Sequence, residues 1–127
     1  MPVTRFRLLF LALPLFLVLG QGCFATEPTP VWNGLSFERM SVDDCVHWSA
    51  HALEEVGFTS AIDGNVATGH KDPHTAVVFC NAAPLLTIVI ASNASFDDAL
   101  HEREAFERSM QRIARHRGRD RDSDHRR

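Results

Sequence analysis

Apolar and polar positions along this chain fall into blocks with different periods. Leu8 to Leu19 is apolar throughout, interrupted only by Pro14, and follows Arg5 and Arg7. Twelve helical residues rise about 18 Å, short of the roughly 30 Å hydrocarbon core, so the run makes a poor permanent span. A basic start, a short apolar middle and then small residues form the pattern of a secretory signal, residues 1–25, with cleavage expected after Ala25. Cys23 opens a second route, in which that cysteine is acylated and anchors the chain to lipid. Leu19 lies one place too early for that signal and Gln21 intrudes, which favours cleavage.

Residues 26–34 read as a polar leader with no core to join. Leu35 to Met40 alternates apolar and polar side chains, the period of a half-buried strand. Ser41-Val42-Asp43-Asp44 then approximates a capping box, with acids in the first helical turn. Val42, Cys45, Ser49, Ala52, Leu53 and Val56 follow as one helical stripe, and Gly57 ends it. Ile62 to His70, diluted by Gly64 and Gly69, suits one edge or bulged strand. Thr75 to Cys80 and Leu85 to Ala91 are β-branched apolar runs joined by Asn81 to Pro84, as in a hairpin. Ser95 caps a second helix on which Phe96, Ala99, Leu100, Arg103, Phe106, Met110 and Ile113 recur at the 3.6 period. Residues 116–127 hold no apolar side chain and are expected to be a disordered Arg/Asp-rich tail. The order β-α-β-β-β-α over residues 35–115 predicts one small α+β domain, two helices packed on a mostly antiparallel sheet.

Charge sharpens this picture. The 127-residue chain has a formal charge of −3, but residues 26–107 carry 3 basic and 13 acidic groups, while residues 108–127 carry 8 Arg and 3 Asp. A body this acidic repels a phosphate backbone, so no nucleic-acid partner is expected. Signal cleavage would leave no stable membrane span, and the exported chain would be periplasmic or secreted. Cys45 and Cys80 are then the cysteines inside the domain, an even pair that reads as a disulfide in an oxidising compartment. Two buried free thiols are the alternative.

A bridge from Cys45 to Cys80 would aim Cys80, Val78 and Ala76 at the first helix and turn Val77 and Phe79 away from it. The next strand is apolar on both sides as well, with Leu85 and Val89 opposite Leu86, Ile88 and Ile90. A sheet with one wet face normally alternates more cleanly. Either the second helix covers the far face, or both helices share a face and another molecule covers the other. In the second case Val77, Phe79, Leu85 and Val89 form an interface for a protein partner or a second copy.

Candidate chemistry is sparse. His47 and His51, four apart on the first helix, are the metal-ligand candidates, and His70 and His74 flank a turn from which they could complete a site. Trp48 stands where a zinc protease needs its glutamate, so an exposed polar helix face is the favoured reading and no metal or other cofactor is assigned. Asp43/Asp44, Glu54/Glu55 and Asp97/Asp98 are adjacent pairs that point about 100° apart on a helix, unsuited to paired acid–base work. No nucleophile elbow or phosphate loop is present, and no catalytic residue is assigned.

The string Ser41-x-x-x-Cys45, Ala52-Leu53-x-x-x-Gly57-Phe58, a strand ending at Cys80 and a final helix resembles small exported bacterial domains of unknown function. That resemblance implies export, one disulfide and a compact α+β fold, with no activity to carry over. The sequence therefore predicts a non-enzymatic exported binding domain, with a periplasmic metal-binding protein using His47 and His51 as the alternative.

Overall fold

The computed structural model describes residues 27–82, 85–124 and Arg126. The elements are β1 (Thr29–Ser36), α1 (Val42–Glu55), β2 (Thr59–Asp63), β3 (Val66–Lys71), β4 (His74–Ala82), β5 (Leu85–Ser92) and α2 (Phe96–Asp124). The strands form one sheet in the order β1-β5-β4-β3-β2, with every neighbouring pair antiparallel. β1 and β2 lie at opposite edges, and α1 carries the chain between them. The molecule is thus the expected α+β domain of two helices on an antiparallel sheet. The expected signal segment and Cys23 lie outside the described residues. Among the described residues, no helix is long and apolar enough to cross a membrane.

Three segments differ from the sequence reading. Residues 29–34, expected in a leader, form most of β1, while residues 37–40 turn into α1. The inward alternation begins at Val31, which is buried, and Pro30 is tolerated because β1 is an edge strand. Residues 62–70 are part of a hairpin rather than one strand. Gly64, at φ +59°, takes the left-handed conformation that a two-residue turn requires, and Asp63 pairs with Val66 across it. Finally, residues 116–124 continue α2 instead of forming a disordered tail. This stretch has no apolar face, yet it is held by charge. Arg121 donates to Asp44 at 2.7 Å and to the Arg39 carbonyl at 3.2 Å, and its guanidinium lies 6.0 Å from the centre of the Trp48 ring.

Both helices pack on the same face of the sheet. α1 lies against β2, β3 and β4, and α2 against β1 and β5. Leu53, Val78, Leu86, Ile88, Ile90, Phe106 and Met110 are fully buried between the layers. Cys45 and Cys80 are bonded there, with Cα atoms 5.9 Å apart, so the bridge staples the start of α1 to the central strand. Ser41 caps α1 with a complete capping box: its hydroxyl accepts from the Asp44 N–H, and the Asp44 carboxylate accepts from the Ser41 N–H.

Candidate functional site

Strand register places the side chains of the second sheet face in rows. One row runs Trp32, Val89, Val77, Thr68, Ala61 from the β1 edge to the β2 edge. The next runs Gly34, Thr87, Phe79, Val66, Asp63. Leu85 lies one row further on, opposite Ser36. Because neighbours along a strand point to opposite faces, all of these oppose the helix-covered residues. No described element covers them. Trp32 is 71% exposed, Leu85 55% and Phe79 37%, and Val77 and Val89 are half-buried.

The structure therefore brings together the four residues the sequence singled out, Val77, Phe79, Leu85 and Val89. It adds Trp32, which the sequence reading missed by assigning its segment to a leader. Val31-Trp32-Asn33-Gly34-Leu35 carries no apolar–polar alternation, since its inward positions include the polar Asn33, and the place of Trp32 on this face follows from the pairing of β1 with β5. Two cross-strand apolar contacts, Trp32–Val89 and Val89–Val77, make the patch continuous over three strands. Charge is nearly absent from it. Within the rows described, Asp63 is the one charged side chain, at the β2 edge.

The histidine candidates are not brought together. His47 and His51 are 61% and 59% exposed and lie 3.4 Å from Asp43 and 3.6 Å from Glu55, each one turn away on α1. His74 points into the helix side and is buried, whereas His70 lies on the outer face. No group of three or more His, Cys, Asp or Glu among the described residues is arranged to hold a metal ion.

Polar clusters also cross the helix layer. Lys71 donates to both oxygens of the buried Glu102, at 2.8 and 3.0 Å, and to the Val56 carbonyl at 3.0 Å. His74 lies 3.9 Å from the same carboxylate. In another cluster, Ser109 and Arg112 donate to Glu55, and His51 approaches it from outside. These hydrogen bonds, first from Ser109 and then from Arg112, hold the Glu55 carboxyl below its ordinary value. The carboxylate stands between serine and imidazole, so His51 is not placed to take the Ser109 proton, as a serine nucleophile requires. A cleft of about 360 Å³ beside Trp48 is lined by Arg39, Arg115, Arg119 and Arg121 with Glu38 and Asp122, so its charge is mixed with an excess of arginine.

No family model, curated protein or solved structure matches this chain.

Proposed function

We propose that this chain is an exported, non-enzymatic interaction domain that docks a protein on the outer face of its sheet. The observation that carries the reading is the patch of Trp32, Val77, Phe79, Leu85 and Val89, uncovered by any described element. Contiguous exposed apolar surface of several hundred Å² commonly marks an interaction site. Its low charge, with Asp63 at the β2 edge alone in the described rows, adds weight, because the rest of residues 26–107 is strongly acidic. A buried disulfide is consistent with an oxidising compartment and supports export, as do the basic start and apolar run at residues 5–19.

Site-specific photo-crosslinking in the producing cell tests the docking surface. A probe at Trp32 or Val89 should give protein adducts that the same probe at His47, on the helix side, does not. Equal labelling from both sides, or none from the sheet, would end this reading. Cell fractionation with mass analysis tests export: the expected species begins at Thr26 with Cys45 and Cys80 oxidised. A cytoplasmic species with reduced thiols would remove that half of the proposal.

A further inference from the structure

We infer that the occupant of the outer face is a second copy of this chain, packed sheet to sheet about a two-fold axis parallel to β4. The inference rests on the docking role just proposed and adds the identity and geometry of the partner.

The argument begins with the taper of the central row. From one edge to the other it reads Trp32, Val89, Val77, Thr68, Ala61, large to small, with Val77 on the middle strand. A two-fold axis lying between two facing sheets and along β4 exchanges the edges. Trp32 of each copy then lies over Ala61 of the other, Val89 over Thr68, and Val77 over Val77. The bulkiest side chain meets the smallest, which is what close packing of two sheets about 10 Å apart demands. The next row obeys the same operation. Phe79 meets Phe79, an arrangement open to aromatic stacking, and Thr87 meets Val66. An isologous contact needs one self-complementary patch, and this row supplies it.

Charge and size agree. Two copies of an acidic body repel, so they approach most easily through a surface with little charge, and the outer face, whose described rows carry only Asp63 at the β2 edge, is such a surface. Five strands at about 4.8 Å spacing and roughly six residues of length give a face of about 24 Å by 20 Å. Two such faces bury on the order of 1,000 Å² together, the lower limit for a specific interface. The dimer is accordingly expected to form reversibly in the micromolar range.

Sedimentation equilibrium of the protein as purified from the producing cell should report a mass approaching twice that of one chain as concentration rises towards about 100 μM, well above such a dissociation constant. Val77→Lys should leave a monomer. Trp32→Glu, at an exposed edge position that folding tolerates, should weaken association at least about tenfold and guards against a folding defect in the first variant. Val77→Cys should oxidise to a linked dimer, whereas Trp32→Cys should link only when Ala61→Cys is present as well. A dimer that survives Val77→Lys, or one in which Trp32→Cys links to itself, overturns the proposed packing. A monomer whose sheet probes still crosslink to a different protein overturns the second copy but leaves the docking role standing. A monomer without sheet-side adducts overturns both.

Discussion

A single lysine joins three elements at one end of the sheet. α1 has no basic residue in its last turn. Lys71, from β3, supplies the cation there by donating to the Val56 carbonyl, where the helix dipole favours positive charge. Its remaining hydrogen-bonding capacity goes to Glu102 of α2, and its ammonium lies 5.7 Å from the centre of the Phe58 ring. Glu102→Ala should therefore destabilise the fold by about 2–3 kcal/mol in urea unfolding, below the full cost of breaking a buried pair because Lys71 is partly open to water. The double change with Lys71→Ala should cost less than the sum of the single changes, since each alone strands its partner. Two further carboxylates set the acid limb of stability. At Asp44 partial burial pushes the pKa up, but hydrogen bonds from Arg121 and Ser41 outweigh it and leave the value below the usual 3.8. Glu55 lies below its usual 4.5, held by Ser109 and then Arg112. Both carboxyls bind protons more weakly folded than unfolded, so their stabilisation is complete above those ordinary values and disappears as pH falls through the lower folded ones. Arg112→Ala should move the Glu55 titration, followed by NMR, back towards 4.5 and make the loss of stability below that pH less steep.

At the scale of elements, the disulfide carries the largest single expected effect. Its 35-residue separation corresponds to about 3.5–4 kcal/mol of chain-entropy stabilisation. Cys45→Ser with Cys80→Ser should lower the unfolding free energy by that order, and a loss under about 1 kcal/mol would show that packing alone pins α1 to β4. Packing there is tight. A side chain added at Gly69 on β3 would begin 3.1 Å from Phe58 and 3.2 Å from Leu53, so Gly69→Val should cost about 1–3 kcal/mol by overpacking. The elements that were legible in the sequence are those whose local signals agree. Ser41 and Asp44 announce the start of α1, and Cys45 with Cys80 share the inward face on which the bridge forms. Those misread depend on partners far along the chain. β1 becomes visible only through its pairing with β5, because Pro28 and Pro30 look like leader residues until an edge position excuses them. The end of α2 has no apolar periodicity, and its order comes from Asp44, Arg39 and Trp48, dozens of residues away. The Gly64-Asn65 hairpin turn was present in the sequence, but its glycine read equally well as dilution of one strand. For the outer face, strand alternation placed Val77, Phe79, Leu85 and Val89 together, whereas Trp32 required the register of β1.

The whole molecule is asymmetric in thickness: one sheet face carries two helices, and the other carries none of the described elements. This asymmetry makes the two faces thermodynamically separable. Val78 is fully buried under the helices, while its neighbour Val77 points to the open face. Val78→Thr should lower stability by about 1–3 kcal/mol at any protein concentration, because it places a hydroxyl in a sealed apolar layer. Val77→Thr with Val89→Thr keeps the branched shape that strands favour, so dilute protein should lose no more than about 1 kcal/mol. Concentration then separates a docking face from a merely apolar one. If copies associate through this face, mass action raises the unfolding midpoint of the parent protein with concentration, and the Val77/Val89 double variant loses that dependence. Salt should act in the same direction, since association brings two acidic bodies together and screening weakens their repulsion; the Debye length falls from about 30 Å at 0.01 M to about 10 Å at 0.1 M. Thermal unfolding over a hundredfold range of concentration at both ionic strengths makes the comparison. A parent midpoint independent of concentration and salt would place the apolar outer face outside any self-association, and a variant as concentration-dependent as the parent would move the contact elsewhere on the molecule.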